Sequence, residues 1–169
     1  MKNELLAELR QNSEELFRVL PSFTPEQFNQ VPFAGSWTAG QVASHLSMAE
    51  TGVVSTLFGS SRPTTERAPD KNVAGLREAF LNFDIKMQAP DFTIPRADGY
   101  EQSALIAAFR RSREKLEEAI QTMDLSETAT DFEFPTVGHM TRLELVNFAI
   151  VHAIRHTRQM KNIAAKISA

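Results

Sequence analysis

Apolar residues recur along this chain with the 3.6-residue period of an α-helix, in four long stretches. In the first, Leu5, Leu6, Leu9, Leu16, Phe17 and Leu20 share one face, and Pro21 ends the helix. A short helix is expected at Thr24, with Pro25 at its first position and Gln27 completing a capping box. The second long helix opens on another capping box, Thr38 with Gln41, and Trp37 is placed to staple onto Val42. Its apolar positions are Val42, Leu46, Ala49, Val53 and Leu57, and Gly59, Ser60, Ser61 and Pro63 stop it. The third spans about 100–123, with Leu105, Phe109, Leu116, Ile120 and Met123 on one side. Along it Arg110, Arg111, Arg113 and Lys115 interleave with Glu114, Glu117 and Glu118, which predicts a solvated face of mixed sign. The fourth begins at a third capping box, Thr141 with Glu144, and continues to about Lys166. Its middle, Leu143 to Ile154, is apolar on nearly every side and predicts the most buried helix.

Between the second and third helices lies a long connection, Gly59 to Gly99, carrying Pro63, Pro69, Pro90 and Pro95. A structureless loop of that length is uncommon inside a compact domain. Leu76, Ala79, Phe80 and Phe83 predict a short helix within it, from about Leu76 to Met87. The whole segment then reads as a crossover between two helices that run the same way. No strand pattern, internal repeat or second domain is evident, so residues 1–169 read as one all-α domain, a helical bundle.

Composition narrows the chemistry. A chain of 169 residues can bury a self-sufficient core. It contains no cysteine, which removes disulfides, thiolate metal sites and a cysteine nucleophile, and which suits a reducing cytoplasm. The formal net charge of -3 and the mixed-sign helix surfaces give no footing for nucleic acid or an anionic membrane. The opening MKNELLAELR carries Glu4 and Glu8 where a signal peptide needs an apolar run, and no apolar stretch is long enough to span a bilayer.

The candidate chemistry lies in the segment VHAIRHTRQM, where His152 and His156 stand four residues apart. With about 100° of rotation per residue, Leu145, Phe148, Ala149, His156, Gln159 and Ile163 fall within about 60° of His152, so both histidines lie on the core stripe. Side chains four apart lie over one another, close enough for two imidazoles to grip one ion. On the second helix His45 shares a side with Gln41, Val42, Ala49 and Thr56, again on or beside the inward stripe. A lone HxxxH on a helix is more often a pair of hydrogen-bonded core residues than a metal site. Three buried imidazoles at one level, each with an unmet polar atom costing on the order of 1–3 kcal/mol, shift the balance toward a divalent metal. Two known patterns are excluded. Ala153 stands where a zinc protease carries its general-base Glu, and no helix carries the Glu-x-x-His pair of a di-iron bundle.

The remaining candidates have plainer alternatives. Gln159 lies near the histidine face and can line a pocket, with a packing or capping role equally open. Arg155 stands between the histidines and can meet an anionic substrate at a pocket rim, with a surface salt bridge as the plainer expectation. His139 reads as an exposed loop histidine. Trp37 reads as a staple or core residue, with substrate stacking as the lesser alternative.

At these residues the chain resembles the DinB/YfiT-like superfamily of metalloenzymes. SWTAGQVASHL resembles the family's Trp-led entry into helix two, ending in its first metal histidine. FPTVGHMTRLE looks like the loop and cap before helix four, and HAIRHTRQM like the closing H-x-x-x-H-x-x-Q segment. The resemblance implies a four-helix bundle with a long crossover between helices two and three, often dimeric. It also implies a divalent metal, commonly zinc or nickel, held by His45, His152 and His156. Some relatives transfer or isomerise substrates with a low-molecular-weight thiol.

Three neutral histidines leave an ion with an open position, the arrangement of a catalytic rather than a structural site. With no cysteine in the chain, any sulfur nucleophile comes from outside. The expectation is therefore a metal-dependent transferase acting on a small molecule through an external low-molecular-weight thiol. The alternatives are a metal-dependent hydrolase and a non-catalytic metal-binding helical dimer. No second catalytic group can be named from the sequence.

Overall fold

The computed structural model describes residues 1–168. Its helices are α1 (Lys2–Val19), α2 (Pro25–Phe28), α3 (Ala39–Leu57), α4 (Val73–Leu81), α5 (Gln102–Thr122) and α6 (Arg142–Ile167). Four of them are long, α1, α3, α5 and α6, and they form a four-helix bundle. All three capping boxes read from the sequence are present, with Thr24, Thr38 and Thr141 each accepting from the backbone N–H three residues on and the Gln or Glu there reaching back. Each such cap supplies partners to helix-end N–H groups that the helix itself leaves unpaired, worth about 1 kcal/mol.

Direction follows from what meets at one end. Lys2 Nζ donates to the carbonyl of Met123 at 2.6 Å, which brings the start of α1 to the end of α5. Arg142 Nε donates to the carbonyl of Leu57 at 3.2 Å, which brings the start of α6 to the end of α3. So α1 and α6 run one way, and α3 and α5 run the other. The connection from α3 to α5 must therefore travel the length of the bundle, as the sequence predicts. Helix α6 packs against α1, α3 and α4, while α5 packs against α1 and α3. Every residue of α6 from Leu143 to Ala153 is buried, in agreement with its apolar sequence.

Three details depart from the sequence reading. The crossover helix is α4, Val73–Leu81, rather than 76–87. After it the carbonyls of Phe80 and Asn82 accept from the Arg155 guanidinium at 3.3 and 3.0 Å, and that of Ile85 accepts from it too. Residues 82–88 are thus drawn out as an irregular strap, with the carbonyls of Asn82 and Ile85 turned toward α6 rather than along a helix. A two-residue antiparallel ladder also exists, β1 (Ser61–Arg62) against β2 (Thr128–Ala129), too short to leave a period in the sequence. Finally, Arg113 is not on a solvated face. It is 3% exposed and pairs with Glu50, itself 1% exposed, across α5 and α3. Ser112 Oγ donates to Glu50 at 2.8 Å, and Arg113 donates to Asn12 Oδ1 at 2.6 Å. Glu50 lies on α3 as a lone acid among apolar neighbours, and its attraction, with Asn12, carries Arg113 inward.

Glu144 illustrates how caps become tertiary ties. Beyond its capping box it accepts both arms of Arg67, at 2.7 and 2.8 Å, and the Asn72 N–H at 2.9 Å. One carboxylate thereby fixes the start of α6 to the start of α4. Burial pushes its carboxyl pKa upward, and Arg67 with the Thr141 and Asn72 N–H groups more than reverses that, leaving it below the ordinary value.

Candidate metal centre

His45, His152 and His156 converge in the interior. His152 Nε2 lies 3.2 Å from His45 Nε2 and 3.0 Å from His156 Nε2. The donor atoms of the three all lie within 4.8 Å of one another, and no carboxylate belongs to the group among the described residues. The rings come from α3 and α6, two helices that pack directly on each other, and each ring projects from the inward stripe of its helix.

The far side of each ring is also specified. His45 Nδ1–H donates to the Thr93 carbonyl at 2.8 Å, and His156 Nδ1–H donates to Gln159 Oε1 at 2.8 Å. Both assignments leave Nε2 as an acceptor with its lone pair facing the other rings. His152 stacks on Phe148, ring centroids 5.0 Å apart at 16°. At most one Nε2 proton, on His152, can serve two facing lone pairs, so one lone pair stays unmatched in a buried place. Adding a proton does not resolve this. Burial lowers the pKa of His45, lowers that of His152 well below its ordinary value, and brings that of His156 to about 4. Three neutral, inward-facing imidazole nitrogens with their rings held from behind fit a divalent cation, which takes one lone pair from each.

The cluster opens onto a cavity of about 1490 Å³ lined by α3, α4, α6, the crossover and the loop before α6. Rings form a continuous row along it. From His152 the row passes to Phe148, then to Phe134 at 4.9 Å, to Phe132 at 5.1 Å, and to Phe92 at 5.9 Å, between ring centroids. Phe80 closes the inner end edge-on to both Phe148 and His152, at 5.3 and 5.6 Å. The tight turn Phe134–Gly138, with Thr136 and Gly138 in the left-handed region, aims Phe132 and Phe134 inward.

The other sequence candidates fall as follows. Gln159 lines the cavity and holds His156. Arg155 lines it too, but makes no surface ion pair among the described residues; its guanidinium is spent on the strap carbonyls. His139 is partly buried in the loop, bonded to the Phe132 carbonyl at 3.1 Å and beside Glu133, outside the cluster. Trp37 packs against the apolar cluster that holds Val42 and tilts over His45, ring centroids 5.3 Å apart. Neither Thr93, whose part is played by its backbone, nor Phe132 and Phe134 can be picked out by residue pattern alone. The only hint of that wall is the excess of phenylalanine, 12 against one tyrosine.

A four-helix bundle with a long crossover and three inward histidines from two helices defines a class of candidate metalloprotein. The family model described as the DinB superfamily matches residues 5–160, and the chain belongs to that superfamily. It is similar to the uncharacterized protein YuaE of Bacillus subtilis (strain 168), with 26% identity over 157 residues, 90% of this chain and 93% of the relative. In fold it is similar to TT2238, described as a four-helix bundle protein, with TM-score 0.59 and 18% identity, over 96% of this chain and 99% of that one.

Proposed function

We propose that this protein is a divalent-metal-dependent transferase that uses an external low-molecular-weight thiol. His45, His152 and His156 would hold the ion, and zinc or nickel suits the all-imidazole donor set. The observation that carries the reading is the approach of three neutral Nε2 atoms at the floor of an open cavity.

Transfer is favoured over hydrolysis on two counts. The cavity exceeds the roughly 300–1,000 Å³ usual for one ligand, so two organic reactants have room. A carboxylate beside the ion would assist an attacking water as general base. The one carboxylate among the lining residues, Asp91, is exposed, and no carboxylate joins the histidine cluster. When bound, the cation would supply Lewis acidity that favours the thiolate form of an incoming thiol. The thiol proton leaves to solvent, the sulfur forms its bond to an electrophilic carbon of the second substrate, and that carbon's leaving group departs. The chain's own residues position and exclude. Thr93 and Gln159 fix the ring planes of His45 and His156, and the phenylalanine row keeps water from the inner end.

The test is metal analysis of purified protein beside His45→Ala, His152→Ala and His156→Ala, followed by thiol titration of the cobalt-loaded wild type. Stoichiometric metal lost in each variant, with a sulfur-to-cobalt absorption band on adding thiol, is expected. Metal retained by the variants removes the metal reading. A normal metal load with no band for any physiological thiol removes the transferase and leaves the hydrolase.

A further inference from the structure

The cavity is charged as well as aromatic. Its lining includes four basic side chains, Lys71, Lys86, Arg155 and Arg158, against one acid, Asp91, in a chain whose net charge is -3. None of the four forms an ion pair with a carboxylate among the described residues. Arg155 is occupied by backbone carbonyls, and Arg158 lies over the Phe83 ring at 4.3 Å. Lys86 and Arg158 are exposed at the mouth beside Ile85 and Phe83, and Lys71 is exposed by the start of α4, toward the other end of α6. This local excess runs against the sign of the whole molecule, and low-dielectric walls focus such a field into the cleft. Around the same mouth Phe83, Ile85, Met87 and Phe92 are 39%, 44%, 40% and 62% exposed, more apolar surface than a crossover needs for packing.

We propose that the cavity takes a free, single-chain anionic amphiphile, its hydrocarbon body lying along the row Phe148–Phe134–Phe132–Phe92 and its acidic group held by Lys86 and Arg158. The proposal names the substrate class of the site described above and rests on that cavity being the substrate site. It does not require the metal. An acidic group gains the attraction of these two cations, which a neutral apolar ligand lacks, and a cationic ligand is repelled. The concave site favours a single molecule over a membrane surface, because the ring row lines a cavity of about 1490 Å³ rather than standing outward on a plane.

Trp37 is the chain's one tryptophan and lines this cavity, so its fluorescence reports occupancy. The probes are decanoate, decanol and decyltrimethylammonium, each below its micellar concentration, added to chelator-treated protein. Saturable binding of decanoate is expected, about tenfold tighter than decanol, a difference of one well-placed charge contact, and weakening as salt is raised. The combined substitution Lys86→Gln and Arg158→Gln brings decanoate to the level of decanol and leaves decanol unchanged. Phe92→Ala, at the exposed rim where folding is not at stake, weakens both. Equal binding of decanoate and decanol, or decanoate binding untouched by the double substitution, overturns the proposal. So does decanoate binding only when metal is restored, which puts the acid on the ion instead. Sedimentation with anionic vesicles in place of saturable decanoate binding assigns the patch to a membrane and likewise overturns it. Metal content measured before the chelator treatment separates the two readings: a stoichiometric metal load without decanoate binding sinks only this inference, and decanoate binding by a protein that purifies without metal sinks only the metalloenzyme.

Discussion

His156 carries two jobs that a single atom count makes visible. Its Nε2 faces the other two histidines and its Nδ1–H is held by Gln159, so the ring cannot turn away from the cluster. Loss of an outer partner of this kind commonly weakens metal binding by about 10–100-fold. Gln159→Leu is therefore expected to lower metal affinity by about that factor, measured by competition with a chromophoric chelator, while His156→Ala abolishes stoichiometric binding. Unchanged affinity in Gln159→Leu would mean that packing alone orients the ring. The metal-free protein also has a distinct acid response. Above the ordinary histidine value near 6.5 the three rings are neutral folded or unfolded, and they add no pH slope. As pH falls below it, the unfolded chain takes up protons that the folded core refuses, so stability drops between about 6.5 and the His156 value of about 4. For His156 that span corresponds to on the order of 3 kcal/mol. Glu144, held below its ordinary value, adds a loss in the same direction at lower pH. Urea titrations of chelator-treated protein from pH 7.5 to 4.5 check this, and a flat profile through pH 6.5–5 would contradict the neutral buried cluster.

At the scale of elements the crossover is tied to the site at both ends. Arg155, between two of the histidines, holds the carbonyls after α4, and His45 holds the Thr93 carbonyl farther along. Charged hydrogen bonds to carbonyls contribute about 1.5–3 kcal/mol. Arg155→Met is expected to release the strap, raising amide hydrogen exchange across 82–90 by about tenfold or more, with the α6 core unaffected. Exchange unchanged in that segment would show that the apolar contacts of Phe80 and Phe83 suffice. Helix ends were read well from the sequence because capping is local: Thr38 needs only its neighbour Gln41. The end of α4 was not, because what draws residues 82–88 out of the helix is an arginine some seventy positions away.

At the scale of the molecule the bundle encloses an ion pair that the helices share. Glu50 from α3 and Arg113 from α5 are both nearly fully buried, and Asn12 from α1 completes the contact. Removing one partner of a buried pair leaves the other charge without compensation, at about 3–5 kcal/mol. Glu50→Leu and Arg113→Leu are each expected to lose that much in urea unfolding, and the double substitution to recover a substantial part of it. Additive losses would mean that the two side chains act independently. Arg113 escaped the sequence reading because a helix with alternating charges looks solvated until the position of its partner helix is known. No helix among the described residues is long and apolar enough to cross a membrane, as the run lengths of apolar residues already required.

Local periodicity, and capping chemistry confined to a few residues, suffice to specify the four long helices, the three capping boxes, the crossover and the inward placement of His45, His152 and His156. Packing settled everything that depends on distance through space. It set the 3.0 and 3.2 Å approaches among the three nitrogens, the partners Thr93 and Gln159 behind them, the phenylalanine row, the burial of Arg113 and the basic mouth of the cavity. A helical period states which way a side chain points from its own axis. Only the packing of one axis against another states what it meets there.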